Sequence, residues 1–382
     1  MTTATIARPS SILLVAVAGA LVTGALVLST LSSTGHAAFN TSNLGLYWGL
    51  PIVVYDYFLL TSTGLAMVAA LALLFGGDEC VPVVKRCIWL ALAGLAGAGV
   101  VLGLELGHPL RAIYAIPANL QVASPLFWKV VFVLAYLALL ITLFLRLGRS
   151  DWTAASERGP ALALLLAAVG VTAIAGGVYG TMSMRPFWSS GDVPVAFVVE
   201  SLLGGLAFAV FFTYLAYGFD QMAMPERLRQ LLTGTVPNLF ALAIIAHGLF
   251  VAARAITGLY GNAEGLQVWA HIVRSPLFHL EVWVGLALPL ILMVRAASRG
   301  AGGAQVTVAL LVMVSLFISR YEYIIGGQLV PPFKGSWAPA LLDYVPSLTE
   351  WLLLALAFFV ANAVYALGEW VFGLSACPER GA

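Results

Sequence analysis

The sequence predicts an all-α integral membrane protein with ten transmembrane helices, and its composition supports that prediction. Of the 382 residues, 61% are hydrophobic and only 9% are charged, and the mean hydropathy is +0.99. A soluble domain carries roughly 25% charged residues, so the composition excludes a soluble enzyme and a disordered chain. The net charge of +1 excludes a basic nucleic-acid-binding protein. The apolar runs are continuous, which excludes the alternating strands of an outer-membrane barrel.

Ten stretches of the chain are long and apolar enough to span a membrane. A spanning helix needs about 20 mostly apolar residues, because the hydrocarbon core is roughly 30 Å thick. The first stretch exceeds the roughly 7–15 residues of a signal-peptide core, so we expect it to be a retained helix. Proline, whose missing N–H costs nothing in a first helical turn, stands at or near the start of several. The stretches lie at residues 12–31, 51–75, 87–106, 127–147, 160–179, 193–217, 235–257, 278–294, 304–318 and 348–372.

The distribution of Lys and Arg predicts which side of the membrane each loop occupies. With the N-terminus inside, 11 Lys and Arg fall on the inner side and 7 on the outer side, and inner loops carry the excess in membrane proteins. The three cysteines, Cys80, Cys87 and Cys377, then lie on the inner side, where thiols stay reduced. We therefore expect both termini to be cytoplasmic.

Three of the predicted outer loops are long and rich in aromatic residues, proline and glycine. They cover residues 107–126, 258–277 and 321–347. Long aromatic loops on one face indicate a docking surface or a lid over a site. For any single aromatic residue, a place in the interfacial aromatic belt is the alternative.

A short repeat indicates an internal duplication. The sequence SPLF occurs at 124–127 and again at 275–278, each time closing an outer loop within a group of four helices. Each group opens with a proline followed by an intramembrane acid, Asp56 in the first and Glu200 in the second. We therefore predict two four-helix bundles related by a parallel repeat, with flanking helices. The predicted domains are an N-terminal flanking helix at 1–45, a first bundle at 46–190, a second bundle at 191–325, and an outer loop with a C-terminal flanking helix at 326–382.

Ionisable residues within the predicted spans concentrate in the outer half of the membrane. Such residues are costly in hydrocarbon, so each is a candidate for a functional site. Asp56 lies about one and a half turns below the outer start of its helix, too deep to reach water. We infer a site that opens outward, whereas the alternative is that these residues neutralise one another in pairs. Besides Asp56, the ionisable residues are His247, near mid-membrane, and, in the outer half, Glu105, His108, Glu200, Arg254, Glu281, Arg320, Glu322 and Glu350.

These groups suit a neutral, lipid-soluble substrate that carries two protons, such as a quinol. Its oxidation requires acceptors for two protons and hydrogen-bond partners for two ring oxygens, roles that carboxylates and histidine fill near neutral pH. The chain has no CxxC motif for an iron–sulfur cluster. Only His247 lies well inside a span, whereas a membrane haem needs paired axial histidines. We therefore expect neither haem nor an iron–sulfur cluster in this chain.

Several motifs resemble those of the NrfD/polysulfide reductase membrane-subunit family. ELGHPLR at 105–111 is similar to the family's acid-Leu-Gly-Arg/His-Pro-x-Arg segment, although His108 stands where Arg is frequent, and SPLFW at 124–128 is similar to its Ser-Pro-x-x-Trp segment. The resemblance covers most of residues 45–370 and is closest to the ten-helix branch, which includes hydrogenase-linked and alternative-complex-III-type subunits. Further similar segments are WGLP at 48–51, RPFW at 185–188 and YVPSLTE at 344–350.

The resemblance implies a haem-free anchor in the bacterial cytoplasmic (inner) membrane. It implies that the chain exchanges electrons between a quinone pool, of menaquinone or ubiquinone, and an extracytoplasmic partner. That partner would be a ferredoxin-like iron–sulfur subunit docked on the outer face, serving a molybdopterin or other catalytic subunit. Family members place the quinone pocket in the outer half of the membrane. The remaining contacts would be with lipid, and none with nucleic acid.

Ten residues of the outer half are expected to form the quinone site. Asp56 and Glu105 are the expected proton acceptors, and Glu200 is the repeat-related acid. The side chains expected to hydrogen-bond the quinone head are Tyr55, Tyr57 and His108. The residues expected to orient carboxylates, face the partner or contact the quinone are Arg111, Arg185, Arg320 and Glu322.

Two other functions remain open from the sequence. A secondary transporter built on the parallel repeat would place its site near the midplane, with access from both sides, which the scarcity of charge in the inner half disfavours. A purely structural anchor would bind no quinone. A proton route across the inner half has few candidate residues, so we do not predict a pump. The candidate residues for such a route are Thr61, Ser62, Thr63, Thr213, Tyr214, Tyr217 and Asp220.

Overall fold

The computed structural model describes residues 9–41, 45–76, 81–107, 120–149, 152–261, 265–299, 303–332 and 339–374. Ten helical segments in this described part are long and apolar enough to cross a membrane, which confirms the predicted all-α integral membrane fold. The helices are α1 (Pro9–Thr34), α2 (Leu50–Phe75), α3 (Val81–Glu105), α4 (Pro125–Arg146), α5 (Ala154–Gly180), α6 (Val193–Ala216), α7 (Glu226–Thr233), α8 (Thr235–Tyr260), α9 (Val268–Ile272), α10 (Pro276–His279), α11 (Leu288–Arg299), α12 (Gly303–Gly326) and α13 (Leu348–Phe372).

Capping residues determine where several of these helices begin. Helices α2, α4, α6 and α10 have proline in their first two positions, as the sequence predicts. The fifth span begins earlier than predicted, at Ala154 instead of Pro160, because Thr153 and Ser156 form a capping box. Pro160 is therefore inside α5. A cap made by hydroxyl groups before an apolar stretch extends the helix beyond the apolar residues themselves.

Helices α2 and α6 form the centre of the molecule, and most of their residues are buried. They cross where Gly64 meets the backbone of Ser201 and Gly205 meets Gly64, so a side chain at either glycine would clash with the opposite backbone. Hydroxyl groups join the helices at the same level: Thr63 Oγ1 lies 2.8 Å from Ser201 Oγ, and Ser201 donates to the carbonyl of Leu60.

The remaining helices pack around this central pair. Helices α2, α3, α4 and α5 contact one another in sequence order, and α5 also contacts α2; α6, α8, α11 and α12 pack in a second group that closes between α12 and α6. Helix α1 lies mainly against α13, which packs on α3. The duplication of two bundles and the domain limits stay a prediction.

The eighth span combines three helical geometries. Helix α10 continues into a π-helical segment, Leu280–Ala287, and then into α11. Pro289 is the second residue of α11 and has no N–H to bond the preceding turn, so the regular ladder is interrupted here. The π-helical segment carries Glu281, which is buried, and wide turns of this kind are frequent at functional sites.

We name the end at which α2 begins the Leu50 end; it is the end that the sequence predicts to be extracytoplasmic. Loops there are tied together by side chains. Gln328 Oε1 accepts from the backbone N–H groups of Tyr47 and Trp48 at 2.9 Å. Arg185 donates to the carbonyls of Gly45 and Val330 at 2.6 and 2.8 Å. This layer covers the start of α2 and the end of α12.

Another contact in this layer joins two of the sequence motifs, WGLP at 48–51 and YVPSLTE at 344–350. Ser347 and Glu350 form a capping box at the start of α13. Tyr344 donates to Glu350 Oε1 at 2.7 Å and accepts from the N–H of Leu50 at 2.5 Å. Burial and the Glu350 carboxylate raise the pKa of the Tyr344 hydroxyl, which therefore stays protonated as a donor. Glu350 thus fixes α13 to α2 near Gly49.

Candidate functional site

Asp56 is held in a buried cluster between α2, α4 and α5. Only 1% of Asp56 is exposed. The Tyr179 hydroxyl donates to Asp56 Oδ2 at 2.5 Å, and Lys129 Nζ lies 3.6 Å from Asp56 Oδ1. Oδ1 has no hydrogen-bond partner. The carboxylate is therefore paired with a cation but retains one oxygen that can accept a proton or a hydrogen bond.

The two tyrosines beside Asp56 contact different neighbours, because successive residues on a helix point about 100° apart. The Lys129 ammonium lies 4.8 Å from the centre of the Tyr55 ring, so Tyr55 belongs to the Asp56 cluster. Tyr57 points toward α12 instead and donates to the carbonyl of Met313 at 3.0 Å. We name Tyr55, Asp56, Lys129 and Tyr179 the Asp56 cluster.

A layer of aromatic rings joins the Asp56 cluster to the second group of helices. The ring of Tyr179 lies 5.6 Å from Trp48, 5.2 Å from Trp188 and 5.5 Å from Tyr323, measured between centroids. Trp48 and Trp188 are stacked at 5.3 Å. Because Tyr323 carries the contact into α12, the polar residues on its far side are close neighbours of the Asp56 cluster.

Glu200 and Arg320 form a buried ion pair on the far side of this layer. The Arg320 guanidinium donates to Glu200 Oε2, and only 1% of Arg320 is exposed. Its Cζ lies 4.0 Å from the centre of the Phe197 ring, a cation–π contact. Arg320 Nε and Nη1 have no hydrogen-bond partner. The guanidinium thus has donors left over for another group.

These donors line a pocket between α6, α8, α12 and the eighth span. The pocket is partly open. Several of its lining residues carry buried polar atoms without hydrogen-bond partners: both ring nitrogens of His247, Glu322 Oε2 and the Tyr323 hydroxyl, besides the two nitrogens of Arg320. We name it the Arg320 pocket. Its other lining residues include Phe187, Phe197, Glu200, Phe250, Val251, Arg254, Trp269, Phe278 and Glu281.

The second SPLF segment positions a carboxyl group in this pocket. Ser275 caps α10 by accepting from the N–H groups of Leu277 and Phe278, and its hydroxyl donates to Glu322 Oε1 at 2.7 Å. The carboxyl groups of Glu281 and Glu322 interact directly. In the first SPLF segment, Ser124 makes no side-chain cap bond. The shared motif therefore has different contacts in the two groups of helices.

The structure does not bring all the predicted site residues together. Glu105 is the last residue of α3, where its carbonyl is 2.5 Å from His36 Nε2, next to α1. Arg185 ties backbone segments together, and burial lowers the pKa of its guanidinium. His108 and Arg111 lie outside the described residues. Of the predicted residues, Tyr55 and Asp56 belong to the Asp56 cluster, Glu200, Arg320 and Glu322 line the Arg320 pocket, and Arg185 lies in the loop layer of the Leu50 end. Tyr57 and Glu105 lie outside all three groups.

Several residues in these sites were not predicted from the sequence to have a role there. Lys129 belongs with the outer-side cations by sequence, although it lies only one turn inside α4, in apolar surroundings. Tyr179 carries no signal in the sequence beyond its place at the end of α5. Glu281, His247 and Arg254 stand out by depth alone. Among the described residues, no group of three His, Cys, Asp or Glu is placed to hold a metal ion.

Comparison with known proteins shows the family. A selenate reductase subunit of Mesobacillus selenatarsenatis is 23% identical over 351 residues, which cover 80% of each chain. A putative dimethyl sulfoxide reductase membrane subunit of Halobacterium salinarum is 23% identical over 352 residues, which cover 79% of this chain and 78% of the relative. Residues 39–332 match the family described as polysulphide reductase, NrfD. Because this match spans most of the chain, the protein belongs to the NrfD family, as a membrane subunit of a respiratory oxidoreductase.

Proposed function

We propose that this chain binds a quinone or quinol at the Asp56 cluster and exchanges electrons between the quinone pool and an extracytoplasmic iron–sulfur partner. The observation that carries the proposal is the buried Asp56 carboxylate, with one oxygen bonded by Tyr179 and the other facing Lys129 without a hydrogen bond. NrfD membership supports the same function.

The groups in the cluster match both forms of the substrate. Lys129 offers N–H donors for a quinone carbonyl, and Asp56 Oδ1 offers an acceptor for a quinol hydroxyl. Oxidation of one quinol releases two electrons and two protons. The electrons pass to the iron–sulfur partner, Asp56 takes up one proton as a general base, and Glu105 takes up the other. Glu105 is the last residue of α3, His108 and Arg111 follow it in the sequence, and we keep all three as proposed members of the site.

The proposed complex has this chain in a cytoplasmic membrane with the Leu50 end outward and both termini inside. The relatives named above are subunits of a selenate reductase and a putative dimethyl sulfoxide reductase. By analogy we propose a catalytic reductase subunit, with molybdopterin or another centre, attached through the ferredoxin-like iron–sulfur subunit. The quinone type, menaquinone or ubiquinone, follows from the pool of the host membrane.

Equilibrium redox titration of the intact complex tests this proposal. The complex is purified with its partners in lipid nanodiscs, and the iron–sulfur clusters are followed by electron paramagnetic resonance while the ratio of a short-chain quinol to its quinone is varied. We expect cluster reduction to follow that ratio in the complete complex and not in a complex stripped of this chain. If the clusters respond to dithionite but ignore the quinol in the complete complex, the chain is a structural anchor and the proposal fails.

A further inference from the structure

We propose that the Arg320 pocket is a second binding site for a quinone head group, distinct from the Asp56 cluster. The Asp56 cluster leaves this cavity unexplained, because none of its four residues is among those that line it. The inference depends on the proposed function only for the identity of the ring. Its geometric basis is independent of Asp56.

The pocket concentrates polar atoms that have no hydrogen-bond partner. A buried polar group without a partner is unfavourable, and these atoms belong to His247, Arg320, Glu322 and Tyr323. His247 and Arg320 are 4% and 1% exposed, so bulk solvent does not reach them. A ligand that bonds to these atoms removes the penalty.

The pocket combines donors and acceptors. Arg320 offers the N–H groups of two nitrogens, Nε and Nη1, and a neutral imidazole at His247 offers one donor and one acceptor. Glu322 Oε2 offers an acceptor, and the Tyr323 hydroxyl can act as either. A quinone needs donors for two carbonyl oxygens, whereas a quinol needs acceptors for two hydroxyl groups. The pocket can satisfy both forms.

The pocket has an aromatic lining. Aromatic side chains pack well against a planar ligand ring, and six of them line the pocket: Phe187, Phe197, Phe250, Trp269, Phe278 and Tyr323. A phospholipid phosphate would also be attracted to Arg254 and Arg320, but the carboxyl groups of Glu200, Glu281 and Glu322 line the same space and oppose an anion. A neutral ring with polar ends fits this combination better.

The pocket is accessible from the lipid. Helix α8 packs closely along α11 but makes fewer contacts with the π-helical segment. Phe250 and Val251 on α8 and Phe278 on the eighth span line the pocket and are partly exposed. Leu249 and Trp283, next to these walls, are exposed apolar side chains. A ligand dissolved in the membrane can therefore enter between α8 and the eighth span.

Photoaffinity labelling of the intact complex tests the second site. An azido-substituted decylbenzoquinone is added to the complex in nanodiscs, and after illumination the labelled peptides are identified by mass spectrometry. We expect label at residues 247–254 or 276–283, as well as near α2 and α4. Val251→Trp fills the pocket and should reduce labelling of 247–254 and 276–283 at least about tenfold, which corresponds to 1.4 kcal/mol of binding free energy. Labelling near α2 and α4 should stay unchanged. Leu249→Trp, two residues away on the lipid-facing side, should leave labelling unchanged both at the pocket and near α2 and α4.

The outcomes separate the two proposals. Equal labelling of 247–254 in the Val251→Trp and Leu249→Trp proteins would mean contact from bulk lipid and would overturn the second site, as would the absence of label there. Competition by an anionic phospholipid but not by decylquinone would identify a lipid site instead. Label confined to the Arg320 pocket would support the second site and refute quinone binding at the Asp56 cluster. If Val251→Trp fails to assemble, Phe278→Trp fills the pocket from the opposite wall.

Discussion

The Tyr179 hydroxyl donates a 2.5 Å hydrogen bond to Asp56, joining the end of α5 to the first turns of α2 in the buried interior. The bond occupies one carboxylate oxygen and leaves the other facing Lys129. Tyr179 thereby fixes the orientation of the carboxyl group. Because its ring also contacts Tyr323, the same residue connects the two groups of helices.

Replacing Asp56 by Asn should remove a proton acceptor while retaining its shape. Asn can still accept the hydrogen bond from Tyr179, and the Lys129 ammonium keeps its contact with the Tyr55 ring, so assembly of the complex should persist. We expect quinol-dependent turnover to fall at least about tenfold, a loss of roughly 1.4 kcal/mol in barrier terms. Steady-state assays with a short-chain quinol would measure this, with an artificial donor to the iron–sulfur partner as the control for the rest of the complex. Unchanged quinol kinetics would refute the role of Asp56.

Replacing Lys129 by Met should destabilise the protein, because it leaves the Asp56 carboxylate buried without a counter-charge. Breaking a buried ion pair costs on the order of 3 kcal/mol. The double variant Lys129→Met with Asp56→Asn should recover most of that loss, since neither charge remains. Thermal unfolding in detergent, followed by intrinsic fluorescence, would measure all three proteins. A double variant no more stable than Lys129→Met would show that the pair is not coupled.

Gly64→Ala should disrupt the crossing of α2 and α6. A Cβ atom at Gly64 would meet the carbonyl oxygen of Ser201, which belongs to backbone and cannot move aside cheaply. Overpacking of this kind costs about 1–3 kcal/mol. Gly99→Ala in α3 is the matched control, since nothing lies within 4 Å of its Cβ position. We expect a lower melting temperature for the first variant only, and equal melting temperatures would contradict the close crossing.

Ser275→Ala should be more destabilising than Ser124→Ala, although both serines occupy the same position of the SPLF motif. Ser275 caps α10 and bonds Glu322, whereas Ser124 makes no side-chain cap bond. Loss of a serine cap costs about 1 kcal/mol. The difference in melting temperature between the two single variants measures this asymmetry. Identical losses would mean that the motif has the same structural role in both groups of helices.

The sequence predicted the fold class, the ten spans and the family correctly, because hydropathy and short ordered motifs are local signals. Contacts between helices could not be predicted from these local signals. Lys129 lies one turn into an apolar helix, and nothing nearby in the sequence indicates that it pairs with Asp56. The start of the fifth span was placed too late, because the capping box of Thr153 and Ser156 contains no apolar residue.

Depth in the membrane predicted which polar residues lie near the Leu50 end but not how they are divided. Glu200, Arg320 and Glu322 were placed in the same site as Asp56, and in the structure they line the Arg320 pocket, whose lining does not include Asp56. Glu350, counted among the buried acids, instead caps α13 and binds Tyr344. Burial alone cannot distinguish a carboxylate that holds the fold from one that faces a cavity. Only the identity of its partners does so.

The loop layer at the Leu50 end has a thermodynamic consequence for assembly. Arg185 bonds the backbone of Gly45 and Val330, and Gln328 bonds that of Trp48. A partner that docks on this face would meet segments whose backbone is already ordered, and ordering of loops is one of the main entropic penalties of association. In these described segments, the free chain and the assembled subunit should therefore present nearly the same surface, and a partner should meet them as a rigid body.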